Sequence, residues 1–161
     1  MKEAITLFSM LVGLAVNLYA QKEAVLWKGK CYEGYVFDTS YLVLKSVKQQ
    51  QSRAVLSCDE IKIAENILKK KLAALNTNSI NQTEGCPNIS KKLYNYRRQY
   101  FGFTNSKGEK IIWINMFWNK KFNNKSKYEL ISVNDGCSYY WNIEVNITTN
   151  SLSNLQINGK G

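Results

Sequence analysis

One stretch of this chain has helical period and the rest is patterned for strands, which confines the fold to a single helix laid on a sheet. The stretch opens at Ser57-Cys58-Asp59-Glu60, a capping box in which the Ser57 hydroxyl and the Glu60 carboxylate each satisfy a backbone donor at the helix start. Ile61, Ala64, Leu68, Leu72 and Leu75 recur at steps of three and four, with Ile63 and Ile67 widening the stripe, so one face is apolar over about four turns. Acids come early and Lys69, Lys70 and Lys71 come late, the order the helix dipole favours, and the three lysines read as a solvated last turn. Residues 76–88 are rich in Asn, Thr and Ser, contain the single proline Pro87, and read as a loop.

Ahead of the helix, apolar and aromatic runs at 24–27, 31–37 and 41–47 read as short strands, with 48–53 a connector. Behind it, 97–104 and 109–117 flank Asn105-Ser106-Lys107-Gly108 as a hairpin, and 128–133 is expected to form the next strand before the Asn134-Asp135-Gly136 turn. Over 139–148, Tyr139, Trp141, Ile143, Val145 and Ile147 share one face while Tyr140, Asn142, Glu144, Asn146 and Thr148 share the other. A last strand over 152–157 pairs back across Thr149-Asn150-Ser151. The predicted class is therefore α+β: one amphipathic helix packed on a curved antiparallel sheet of four to five strands, with short N-terminal strands.

Met1-Lys2-Glu3, an apolar run over 4–16 and Asn17-Leu18-Tyr19-Ala20 follow the order of a signal peptide. The run is short of the about 20 apolar residues that a permanent span requires. Cleavage after Ala20, with Ala15 as the alternative, gives a signal peptide over 1–20 and a single α+β domain over 21–161. That domain is expected to be exported, whether periplasmic, envelope-associated or secreted, with no transmembrane segment. The four cysteines, Cys31, Cys58, Cys86 and Cys137, then read as two disulfides. Three pairings are possible. Bracketing of the helix and its return loop favours Cys58 with Cys86 and Cys31 with Cys137. Zinc is disfavoured, because structural zinc sites draw ligands from closely spaced pairs and these cysteines are far apart. No metal or other cofactor is expected.

The sequence carries no histidine, which removes serine-histidine and cysteine-histidine catalysis and the commonest general base. Asp135, Glu129 and Glu144 are the acids left for a carboxylate pair on the C-terminal sheet, and their positions fit solvent faces and turns better. The net charge of +10 is unchanged by loss of residues 1–20. In an exported chain it points to anionic envelope surfaces and not to nucleic acid. Asparagine sequons at 81, 88, 124 and 146 fit the abundance of asparagine.

Three segments carry a resemblance: Tyr96-Arg97-Arg98-Gln99-Tyr100-Phe101-Gly102-Phe103, then Lys107-Gly108-Glu109-Lys110-Ile111-Ile112-Trp113-Ile114-Asn115, then Asp135-Gly136-Cys137-Ser138-Tyr139-Tyr140 with Ile157-Asn158-Gly159. They resemble uncharacterised small exported proteins of Bacteroidetes, which implies compartment and fold class but no active site; with its sheet curled around the helix, such a domain would resemble a cystatin-like or nuclear-transport-factor-like roll. Cys137 departs from the glycine expected after Gly136.

The aromatic content of the second half is the functional lead. A sheet carrying one helix has only one face covered. Trp113, Phe117, Tyr100 and Tyr140 are therefore candidate ligand-binding residues, for a protein, peptide or glycan, unless N-terminal strands or a curled sheet cover them. The expected function is a non-enzymatic binding or interaction domain. The opposing readings are a carboxylate enzyme acting on a glycan and a structural envelope component.

Overall fold

The computed structural model describes residues 22–30, 32–43, 52–83, 85–118 and 124–160. The expected leader, Cys31 and most of the third N-terminal run lie outside them. Seven strands and one long helix follow in the order β1 (Val25–Lys28), β2 (Glu33–Phe37), β3 (Arg53–Ala54), α1 (Cys58–Leu75), β4 (Arg97–Thr104), β5 (Lys110–Phe117), β6 (Tyr140–Asn146) and β7 (Ser151–Ile157). They form one sheet in the order β1-β2-β4-β5-β6-β7, with β3 pairing β4 beyond the end of β2.

The α+β class holds, and the strand count is larger than the four to five expected because the N-terminal strands join the same sheet. Nor is the sheet wholly antiparallel. β2 runs parallel to β4, pairing Gly34 with Arg98 through Phe37 with Phe101. Parallel neighbours need a long crossover, and α1 lies within the connection that supplies it. Gly102 is where β3 presses closest: a Cβ there would stand 2.2 Å from the Ala54 carbonyl oxygen.

The expected strand over 128–133 does not form. Asn124–Lys127 is a short 3-10 turn, and residues 130–133 run on as an irregular strap. The physical reason is that β5 already has both edges filled, by β4 on one side and β6 on the other. The strap is left to cross the sheet's face instead of joining its edge.

The capping box forms as read, with the Glu60 N–H donating to Ser57 Oγ at 3.2 Å and the Ser57 N–H donating to Glu60 Oε2 at 2.8 Å. Ile61, Ala64, Ile67, Leu68 and Leu72 of α1 are buried against Tyr100, Ile112, Ile114, Met116, Trp141, Ile143 and Val145 of the sheet. Two expected stripe members are exposed. Ile63, 45% exposed, lies about 200° round the helix from Ile61 at 100° per residue. Leu75 projects from the final turn. Lys69 to Lys71 are solvated as read, but they stand before the last turn, which holds no base.

Beneath α1 lies a buried ion pair that period-reading does not anticipate. Arg98 Nε donates to Glu65 Oε1 at 3.0 Å and Nη2 donates to Oε2 at 3.3 Å, with both side chains almost wholly buried. The Tyr100 hydroxyl donates to the same Glu65 Oε1 at 2.8 Å. The remaining guanidinium donors reach the carbonyls of Tyr96 and Leu93. The Arg98 guanidinium also lies over the Tyr32 ring, 5.1 Å from its centroid. Helix, sheet and the preceding turn are thus locked by one charge-assisted network.

Burial, reinforced by the Glu65 charge, holds the Tyr100 hydroxyl well above the usual phenol range, and burial also raises Tyr96 and Tyr41. An unfolded chain releases these protons near about pH 10, whereas the folded one keeps them. Their contribution to stability is therefore complete below that pH and is lost as pH rises. The unfolding free energy from urea melts is expected to hold steady up to about pH 10 and then fall, with Tyr100 and Tyr96 each contributing up to about 1.4 kcal/mol per pH unit. A flat profile to about pH 11.5 would contradict this burial.

Cys86 and Cys137 form a disulfide with their Cα atoms 6.2 Å apart and a separation of 51 positions in sequence. This corrects the expected pairings of Cys58 with Cys86 and Cys31 with Cys137. Cys58 is exposed and free at the start of α1. The helix is about 27 Å long, and the return loop carrying Cys86 leaves its other end. Cys86 consequently meets the turn that opens β6. Among the described residues no helix is long and apolar enough to cross a membrane.

Candidate functional site

Strand alternation sorts the second half into two faces. On β5, Ile112, Ile114 and Met116 face α1, while Ile111, Trp113, Asn115 and Phe117 face outward. On β6, Trp141, Ile143 and Val145 face the helix, leaving Tyr140, Asn142 and Glu144 outward. The outer face carries its own apolar cluster of Ala24, Tyr35, Phe37, Tyr41, Val43, Phe101, Phe103, Ile111 and Trp113. N-terminal segments thus cover part of that face. Arg53 fastens them by donating to the carbonyls of Phe37, Asp38, Tyr41 and Gly102.

The strap over 130–133 covers more. Two buried amides hold it: Gln99 Nε2 donates to the carbonyls of Ser126 at 2.8 Å and Glu129 at 2.7 Å, and Gln99 Oε1 accepts from the Ile131 N–H at 2.9 Å. Asn115 Nδ2 donates to the Ile131 carbonyl at 2.8 Å and to Gln99 Oε1 at 3.0 Å. The Leu130 N–H donates to the Tyr41 hydroxyl at 2.7 Å, and Asn158 Nδ2 donates to the Val133 carbonyl. Gln99 and Asn115 tie the irregular backbone to β4 and β5, and Tyr41 and Asn158 hold it from the segments beside the sheet, so the strap is pinned at Leu130, Ile131 and Val133.

Between the strap and β6–β7 a cleft of about 550 Å³ stays open. Its floor is Trp113, Asn115, Asn142 and Glu144, its far wall comes from Asn154, Gln156 and Asn158, and Tyr140 stands at one end. The volume lies within the range of about 300–1,000 Å³ common to small-ligand sites. The walls are mostly polar. In a chain of net charge +10, no lysine or arginine among the described residues lines the cleft.

The four candidate ligand residues are placed differently from one another. Trp113 is 6% exposed, packs against Phe101 with ring centroids 5.3 Å apart, and donates from Nε1 to Asn142 Oδ1 at 3.1 Å. Tyr140 is half-buried and borders both this cleft and a smaller neighbouring one of about 340 Å³. Phe117, 2% exposed, lines only the smaller one. Tyr100 lies on the opposite face, under α1, because it pairs with Ile114 in the ladder while Phe101 pairs with Trp113. A shift of one residue changes the face. The structure thus brings Trp113, Phe117 and Tyr140 to one side and sets Tyr100 apart.

Compared with known proteins, the chain matches no protein-family model, no curated protein sequence and no solved structure. Site residues therefore rest on geometry alone.

Among the candidate acids, Glu144 lies in the cleft and is buried, Glu129 borders the smaller neighbour, and Asp135 sits exposed in the turn before β6. Among the described residues no group of three or more metal-ligating side chains comes together. The residues that sequence reasoning did not single out are the amides Asn115, Asn142, Gln156 and Asn158. A signal for them was present: Asn115 interrupts an otherwise apolar strand, and a buried amide in such a place must be bonded to something. Gly136 sets the Tyr140 ring, since a Cβ on that glycine would stand 2.3 Å from it.

Proposed function

We propose that the chain is an exported, non-enzymatic binding domain whose ligand, a small uncharged polar molecule or segment, seats in the outer-face cleft. The observation that carries this reading is the cleft itself: about 550 Å³, floored by an indole, two side-chain amides and the Glu144 carboxyl group, with no basic residue on its lining among the described residues. An anionic ligand would call for lysine or arginine there. An apolar one would call for the hydrophobic lining that small-molecule pockets usually have.

The enzymatic alternative is weaker on the same ground. Hydrolysis of a glycoside by the common routes uses two carboxyl groups across one bond, and among the described residues Glu144 is the single acid on the cleft lining. Export is supported by the Cys86–Cys137 bridge, since disulfides persist in oxidising compartments. The basic surface fits an accessory role at an anionic envelope. Lys62, Lys69, Lys70 and Lys71 are exposed on α1, across the sheet from the cleft, so surface attraction leaves the cleft mouth free.

Screening the mature protein against glycans and uncharged peptides by tryptophan fluorescence tests the proposal. A saturable ligand is expected whose binding is lost in Gln156→Trp, which fills the cleft from an exposed position, and kept in Lys70→Ala on the far side. Equal loss in both variants, or none in either, would move the site elsewhere.

A further inference from the structure

We infer that the cleft recognises a neutral oligosaccharide, reading its hydroxyl groups with an ordered row of amides. This inference rests on the binding reading above. Asn115, Asn142 and Gln156 stand side by side on β5, β6 and β7, paired in register across the strands. The row therefore repeats at the strand spacing of about 4.8 Å.

The hydrogen-bonding roles of the first two are set by their neighbours. Asn115 is 93% buried by its 7% exposure, and both amide protons are engaged by Gln99 Oε1 and the Ile131 carbonyl, so what it offers the cleft is the acceptor Oδ1. Asn142 Oδ1 is taken by Trp113 Nε1, a group that can only donate, so what Asn142 offers is its Nδ2 donor. Gln156 is exposed and its side chain makes no hydrogen bond among the described residues, leaving both ends of the amide available. A fixed acceptor, a fixed donor and a free amide in sequence suit a ligand whose neighbouring groups each donate and accept. Vicinal sugar hydroxyls do so.

The aromatic component is placed to match. Tyr140 is two residues from Asn142 on the same face, about 6.6 Å along the strand, and its ring is set over Gly136. A pyranose lying over that ring can present its C–H face to the aromatic and its hydroxyl edge to the amide row. An extended peptide is a poorer fit, because the row crosses strands whose main-chain groups are already paired. Charge argues for neutrality. Glu144, the one ionisable acid on the lining, already has a partner, and no cation faces it from the other lining residues.

The test is titration of the full mature protein with neutral tetrasaccharides of glucose, mannose, galactose and N-acetylglucosamine. An uncharged octapeptide of serine, asparagine and glycine is titrated in parallel, with tryptophan fluorescence as the readout. At least one saccharide is expected to bind saturably, with an affinity that changes less than twofold between about 0.05 and about 0.5 M salt. Gln156→Ala is expected to weaken it about three- to tenfold, and Asn142→Ala at least as much. If Asn142→Ala does not fold, Gln156→Ala decides alone, since that side chain supports nothing. Peptide binding that Gln156→Ala weakens, with no saccharide binding, overturns this inference and leaves the cleft reading standing. No binding by either class tighter than about 10 mM overturns both.

Discussion

Glu65→Ala is expected to lower the unfolding free energy by about 3–5 kcal/mol, the usual cost of leaving a buried charge without its partner. The substitution strands the Arg98 guanidinium beneath α1 and removes the acceptor for the Tyr100 hydroxyl. Carbonyls of Tyr96 and Leu93 remain as partners, but they carry no charge to set against it. Arg98→Met is expected to cost a similar amount by leaving the carboxylate alone. The double variant carrying Glu65→Ala and Arg98→Met should cost less than the sum of the two singles by about 2 kcal/mol, because neither charge is then buried unpaired. Urea unfolding at neutral pH measures all three. Costs below about 1 kcal/mol with simple additivity would mean that the pair is exposed to water.

Removing the Cys86–Cys137 bridge is expected to cost about 4 kcal/mol, from the chain entropy of a loop of this length. For a domain of this size that corresponds to a melting temperature lower by roughly 12–16 °C. Cys86→Ala and Cys137→Ala should each show the whole loss, and a reductant should add nothing to either. Cys58→Ala should leave melting unchanged, since that thiol is exposed and free. The bridge joins the loop after α1 to the turn before Tyr140, so its loss also loosens one end of the cleft. Full stability of Cys86→Ala, or a large loss in Cys58→Ala, would reassign the pairing.

Local chemistry was readable from the sequence. The capping box at Ser57 and Glu60 depends on four consecutive residues, and it forms as written. The faces of β6 follow from simple alternation, which sets Asn142 and Glu144 on the face away from α1, although Glu144 is buried there and not solvated. What could not be read depends on residues distant in sequence. The parallel pairing of β2 with β4 requires a crossover through α1, and no residue in Glu33–Phe37 announces it. Tyr100 looked like one more surface aromatic, and its ladder partner Ile114 places it under the helix instead.

The strap illustrates the same limit. Residues 128–133 have the composition of a strand, and β5 has no free edge to receive them. Of the amides that hold the strap, Asn115 is visible as a polar interruption in an apolar run, whereas Gln99 follows Arg97 and Arg98 and carries no such signal. Their meaning appears only when both are seen to bond Ile131. The cleft is a consequence of that strap, so most of the candidate site was beyond reach of periodicity.

The most direct test of the binding account is a nitrogen-15 NMR titration of the protein with whichever tetrasaccharide binds best, following the side-chain amide signals. The account predicts shifts at Asn142 and Gln156, at the Trp113 indole and at the backbone of 130–133, with the signals of α1 unmoved. Shifts concentrated at Lys69 to Lys71, or scattered over both faces of the sheet, would contradict it.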